Sequence, residues 1–284
     1  KQQSVADALQ RIGKLSDFEL KPIIAAHDPL HYRRRIRLQA GAASGLGFFA
    51  AGSHSVVEID LCLIADGRVN AAIAALRLWL SEINSAMEYL ELVAGDEPNE
   101  LVVVAQPAES FQSSDESACE RLIGENNSIS GLIVLARPER KIYGRTLITV
   151  KLQDDLTLQV DADVFTQVNA EGNRQMIEQL LAAGNFQRQD RVLELYCGAG
   201  NFTLPLARRV GEITAVEGHR AAIASGELNA QRYRMENIRW QCADVPQAVA
   251  RLKRQRQTFS KIVLDPPRTG AKGVEADLAA LSAE

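Results

Sequence analysis

No apolar run in the 284-residue sequence approaches the ~20 residues that a membrane-spanning helix needs. The start, KQQSVADALQRIGKL, lacks the apolar stretch and small-residue cleavage site of a secretory signal, and the four cysteines are scattered rather than framework-spaced. A cytoplasmic protein is expected. A surplus of positive charge is missing too. With 32 Lys and Arg against 36 Asp and Glu, the net charge of -4 gives no field that would hold nucleic acid non-specifically. Any RNA contact must therefore come from a local patch. Internal repeats and low-complexity tracts are not found either. What is present is an ordinary soluble composition, 46% hydrophobic and 24% charged, at a length that suits two domains better than one.

Val5, Leu9, Ile12 and Leu15 recur at three- and four-residue spacing, which predicts a helix from residue 1 to about 26. His27-Asp28-Pro29 ends it, and the segment 1–28 is expected to pack with the C-terminal domain. From residue 29 to 160 short β-rich runs (RIRLQA, GLGFFAA, SVVEIDL, ELVVVAQP, GLIVLAR, TLITVKL, LTLQV) alternate with helical patterns near 67–92 and 115–125. This predicts an α+β, mostly antiparallel central domain. Within it, strand alternation along His31–Leu38 puts Arg33, Arg35 and Arg37 on one face and Tyr32, Ile36 and Leu38 on the other. Together with Arg34 these arginines are the expected RNA contacts; the plainer alternative is a solvated strand face.

Beyond residue 161 strands are followed by helices, as in a doubly wound, Rossmann-like parallel sheet. A helix over 170–183, capped by Asn169 and stopped by Gly184, leads into RVLELY. EITAVE, IRWQCAD and KIVLD follow, separated by helices near 202–210, 219–234 and 246–256. After KIVLD come Pro266, Pro267 and one helical stretch, VEADLAALSAE, so the sheet is expected to be C-terminally incomplete.

Ligands of such sheets sit beyond the carboxyl ends of the strands, which here carry Tyr196, Glu217, Asp244 and Asp265. The first strand runs into Cys197-Gly198-Ala199-Gly200-Asn201, a turn that lets a ligand approach the backbone. Glu217 follows Gly198 by 19 residues, where an acidic side chain can hold ribose hydroxyls. A dinucleotide's pyrophosphate favours a third glycine, replaced here by Thr203, and is poorly served by several carboxylates. S-adenosylmethionine carries a sulfonium and an ammonium instead, and three acidic strand ends suit it.

DVFTQVNAEGN, RVLELYCGAGNFTLPLA and LDPPRTGAKG, in this order and separation, resemble the RNA uracil-5-methyltransferases, and YRRRIRL and LGFFAAGSHSVVEIDLC extend the resemblance upstream. It implies S-adenosylmethionine contacts at Gln167, Tyr196, Asn201, Glu217, Asp244 and Asp265, with Asp265 and Arg268 beside the target base. In the family a cysteine thiolate adds to uracil C6, C5 takes the methyl group, and a carboxylate base removes the C5 proton. Both groups lie further from the Asp-Pro-Pro-Arg motif than the 16 residues that follow Arg268. They are expected beyond Glu284, and this chain is expected to be without methyl transfer of its own. Cys119, Cys197 and Cys242 are read as small buried hydrophobes. Cys62 aligns with the last of four ligands of a 4Fe-4S cluster in the ribosomal-RNA branch. The other three, with a small RNA-binding barrel, are expected before Lys1, and a single thiolate cannot hold such a cluster.

The function implied is methylation of C5 of a uridine in structured RNA, rRNA (23S) rather than tRNA, on a base flipped from its stack. Two alternatives stand beside it. Asp265-Pro266-Pro267 could be the loop of an amino-group methyltransferase, with Arg268 in place of its stacking aromatic, or the chain could bind RNA or cofactor without catalysis.

Overall fold

The computed structural model describes residues 2–41, 44–136 and 138–282. The expected strand end at Arg137, the start of the leading helix at Lys1 and the end of the last helical stretch at 283–284 lie outside them. The leading segment differs from expectation. It forms α1 (Gln2–Asp7) and a π-helical turn (Ala8–Ile12), then runs without helix to β1. No residue of either piece is buried; Val5, Ile12 and Leu15 face solvent, so periodicity found no surface to cover.

Seven strands form the central sheet in the order β3-β2-β1-β4-β5-β6-β7: β1 (Arg35–Ala40), β2 (Leu46–Phe49), β3 (Val56–Glu58), β4 (Met87–Ala94), β5 (Leu101–Pro107), β6 (Gly131–Val134) and β7 (Lys141–Gly144). All neighbours are antiparallel except β5 and β6, which are joined through α3 (Glu116–Glu125). The helix expected over 67–92 is shorter: α2 (Gly67–Glu82) ends before Ile83 and the chain turns into β4. Period-two patterning assigns the faces. Leu92, Leu101, Val103, Ala105 and Leu132 pack under α2 and α3, around Trp79. Val93, Val102, Val104 and Ile133 point the other way, into a second core.

That second core is shared. The hairpin β8 (Leu147–Gln153) and β9 (Leu156–Asp161) contributes Ile148, Val150, Leu158 and Val160 to it, and Ile177, Leu204 and Ala222 from the C-terminal half complete it. Four parallel strands follow in the order β12-β11-β10-β13: β10 (Arg191–Leu195), β11 (Glu212–Glu217), β12 (Ile238–Cys242) and β13 (Lys261–Leu264). The connecting helices are α5 (Thr203–Ala207), α6 (Arg220–Arg232) and α7 (Val245–Arg254). Before them stands α4 (Ala170–Ala183), and α8 (Glu275–Leu278) follows β13. Both faces are covered, as parallel strands require. Leu193 and Leu195 pack with Val245 and Val249 of α7, and Val192 and Ile213 pack with Leu206 of α5. The fold is thus a Rossmann-like parallel sheet beside a mostly antiparallel α+β sheet. No helix among the described residues is long and apolar enough to cross a membrane.

Candidate functional site

The carboxyl edge of the parallel sheet is built around the turn after β10. Tyr196, Gly198 and Gly200 have φ of +62°, +55° and +97°, the left-handed region in which glycine is at ease and a tyrosine is strained. The two glycines differ in use. A β-carbon at Gly198 would meet nothing within 4 Å, so this backbone faces open space, whereas one at Gly200 would come within 2.9 Å of the Trp240 ring. Gly200 allows close packing, and Gly198 leaves room for a ligand.

Glu217, at the end of β11, straps the turn: its carboxylate accepts from the Gly198 N–H (3.1 Å) and the His219 N–H (2.8 Å). Each oxygen keeps a free lone pair for further donors. Asp244 caps α7 by accepting from the Gln247 N–H at 3.2 Å. Asp265, after β13, accepts from Gln167 Nε2 at 3.0 Å; burial raises its pKa, and the bond from Gln167 opposes that. Among the described residues no Lys or Arg lies within 4.0 Å of Glu217, Asp244 or Asp265. The Tyr196 hydroxyl registers the resulting field. Its pKa is raised by burial first, then by the charges of Asp244, Glu275 and Glu217.

Two further features refine the expected set. Asn201 does not cap a helix; α5 begins after Phe202, and the Asn201 amide exchanges two hydrogen bonds of 2.8 Å with Asn173 of α4. Gln167 is anchored from the central sheet, its carbonyl accepting from Arg34 Nε at 2.9 Å. Sequence reasoning missed Glu194. This carboxyl lies inside β10, 2% exposed, accepting from the Thr203 hydroxyl at 2.7 Å. Burial, outweighing the Thr203 bond and reinforced by Asp265, pushes its pKa up to about 8, so it is largely protonated at neutral pH. A lone carboxylate within the run VLEL was the available signal.

The arginine face requires correction. Arg34 and Arg35 are 3% and 6% exposed. Arg34 pairs with Asp96 at 3.0 Å; Arg35 pairs with Glu91 at 2.9 Å and donates to the carbonyls of Ala162 and Val164, each at 2.7 Å. Neither guanidinium can reach RNA phosphate, because the segment after β9 covers the face that alternation alone left to solvent. Arg33 is half-buried, donating to the Arg35 carbonyl, and Arg37 is exposed above the Tyr89 ring at 3.9 Å. Only these two remain accessible, and Arg37 also lies 3.7 Å from Glu91. Arg268 is exposed on the turn closed by the Gly270 N–H and the Pro267 carbonyl.

A family model described as tRNA (Uracil-5-)-methyltransferase matches residues 6–281 of the chain. The chain belongs to the tRNA (uracil-5-)-methyltransferase family. Among its relatives is the 23S rRNA (uracil(1939)-C(5))-methyltransferase RlmD of Mannheimia succiniciproducens, 33% identical over 94% of this chain and 61% of that protein. RlmD of Edwardsiella ictaluri is also 33% identical, over 96% and 63%. The chain thus spans a little over three fifths of the length of these relatives. Among solved structures, the Pyrococcus abyssi tRNA (uracil-54, C5)-methyltransferase in complex with S-adenosyl-L-homocysteine superposes with a TM-score of 0.69 at 18% identity, covering 90% of this chain and 65% of that one. This likeness shows the fold.

The four cysteines are free thiols in different surroundings. Burial raises Cys197 well above its ordinary value and Cys119 to about 11, which suits packing rather than attack as thiolate. Cys242, contrary to the expectation of a buried thiol, is exposed. Cys62 is half-buried against the central core, its backbone N–H and carbonyl both bonded to the Asn70 amide. Among the described residues no three His, Cys, Asp or Glu side chains converge as metal ligands, so the residues present do not fit a 4Fe-4S cluster.

Proposed function

We propose that this chain binds S-adenosylmethionine at the carboxyl edge of its parallel sheet and serves methylation of C5 of a uridine in RNA, 23S rRNA rather than tRNA. The observation that carries the reading is the row of Glu217, Asp244 and Asp265, held by N–H donors and without a cationic partner among the described residues, beside the open backbone of Gly198. Such a site favours a ligand that brings its own positive charge and hydroxyl donors. Glu217 would accept from ribose hydroxyls and Asp244 from the adenine amino group, with Tyr196 giving an aromatic wall and a hydroxyl. When bound, the cofactor supplies an electrophilic methyl group. Gln167 would orient Asp265, and Asn201 would tie the glycine turn to α4 through Asn173. Arg268, with donors only, suits the carbonyl oxygens of a uracil placed beside Asp265. The rRNA preference is supported by the names of the relatives quoted above.

Calorimetry on the chain and its Glu217→Ala variant tests the site. Affinity for S-adenosylmethionine is expected to fall by roughly 1.5 to 3 kcal/mol, the scale of lost charge-assisted hydrogen bonds. Equal affinity in a folded variant would take Glu217 out of the site. Digesting RNA exposed to the protein and cofactor tests the transfer: no methylated nucleoside is expected where no thiol is placed as nucleophile, 5-methyluridine would show that one of the free thiols serves, and N-methylated bases would favour amino-group transfer.

A further inference from the structure

The opposite edge of the parallel sheet carries the opposite charge. Over residues 185–261 there are 13 Lys and Arg against 7 Asp and Glu, the reverse of the whole-chain balance. The loops that enter β10, β11 and β12 all lie at the amino edge, and they enclose a cavity of about 450 Å³ walled by Arg188, Arg208, Tyr233 and Arg234. Among the described residues Glu236 is the one carboxylate on its wall. Arg208 pairs with Asp155 at 2.6 Å, and Arg191 and Arg239 lie near Glu212 at 3.8 and 3.3 Å. Arg188, Arg209, Arg232 and Arg234 are exposed and have no carboxylate within 4.0 Å among the described residues.

A helix dipole favours cations at its C-terminus, which accounts for Arg232 at the end of α6. It does not account for Arg188, on the loop ahead of β10. Arg234 says more. Its φ of +54° lies in the left-handed region, at the position just past a helix that glycine fills most readily. Arg256, just past α7 on the same edge, has φ +54° as well. Two strained, exposed arginines thus stand where glycine would be stable, both on the loops that enter strands at the amino edge.

We propose that this amino edge is a second RNA-docking face that grips phosphodiester groups. It rests on the reading of the chain as acting on RNA. The two edges are separated by five-residue strands, on the order of 16 Å before the loops are added. An RNA engaged at both must therefore span at least that distance along the sheet.

The test compares the full chain with an Arg188→Gln/Arg209→Gln/Arg234→Gly variant. Arg234→Gly relieves the left-handed backbone, so Tm is expected to hold or rise, which separates lost binding from lost folding. For in vitro transcribed 23S rRNA, the slope of log K against log salt is expected to shrink by about 2 to 3, at ~0.7–0.9 per lost phosphate contact. Binding of a short oligouridine should keep its wild-type value. An rRNA slope and affinity equal to wild type, with oligouridine binding retained, overturns the docking face and leaves the proposed function standing. If the wild-type chain binds neither RNA, both readings fall. Stoichiometric binding of AMP that the variant loses, with rRNA affinity intact, would assign the cavity to a small phosphate ligand and overturn the RNA face. Should the triple variant not fold, Arg188→Gln/Arg209→Gln, which alters two exposed side chains only, is expected to lose about 1.5 of the slope by the same arithmetic.

Discussion

The two sheets use charge in opposite ways. In the antiparallel sheet buried charges are matched internally: Arg34 with Asp96, Arg35 with Glu91, and Glu100 with Arg145 at 3.4 Å beside the Thr149 N–H and hydroxyl at 2.6 and 2.9 Å. In the parallel sheet Glu217, Asp244 and Asp265 are fixed by N–H donors but left electrically unbalanced, and Glu194 is buried with a hydroxyl as its partner. Matched charges set shape, because breaking a match strands an ion in a poor solvent. Unmatched carboxylates held in place keep a site ready for a cation from outside.

Breaking a match should have the largest effect. Arg35→Met leaves Glu91 and the carbonyls of Ala162 and Val164 without their donor and is expected to cost about 3–5 kcal/mol in urea unfolding. An unchanged midpoint would show that the pair does not hold the sheet. Next comes Glu194. Its folded pKa near 8 exceeds the ordinary 4.5, so the folded state holds the extra proton and wild-type stability falls as pH rises from about 4.5 through 8. Glu194→Gln should remove that fall, with a gain on the order of 5 kcal/mol over wild type at pH 9 and little difference at pH 4. Parallel pH dependences in thermal melts of the two proteins would contradict it. The smallest effect is expected from Arg33→Gln/Arg37→Gln, within about 0.5 kcal/mol in stability. The salt slope for RNA binding should drop by no more than ~0.9 for each side chain. A larger loss of stability would mean that these two arginines are as structural as Arg34 and Arg35.

The parallel half was legible because its strands are apolar runs punctuated by glycine and closed by carboxylates; β10 to β13 and the Asn169-capped α4 fall where spacing put them. β4 was not. MEYLELVA is rich in helix formers, and only pairing with β1 and β5 on both sides makes it a strand. β7 has four residues and no apolar run to announce it. Strand alternation separated Ile36 and Leu38 from Arg35 correctly, yet it cannot say that distant carbonyls at 162 and 164 will cover the second face. Among the site residues, the strand-end acids follow from chain spacing. The division of labour between Gly198 and Gly200 depends on Trp240, some 40 residues away, and could not be read locally.

The β8–β9 hairpin ties the halves into one folding unit. Asn229 of α6 donates to the Gln159 carbonyl at 2.7 Å and accepts its N–H at 2.9 Å, treating the edge of β9 as a neighbouring strand would. Tyr233 accepts the Thr157 N–H at 2.9 Å one register step away. The hairpin's apolar face meanwhile packs with Val102, Val104 and Ile133 of the central sheet. Separating the halves near residue 160 would expose both surfaces at once, so neither half keeps the shared second core by itself. Heat should therefore unfold the two sheets in one cooperative transition, and protease should find its first foothold elsewhere than in the linker that sequence texture marks as a boundary.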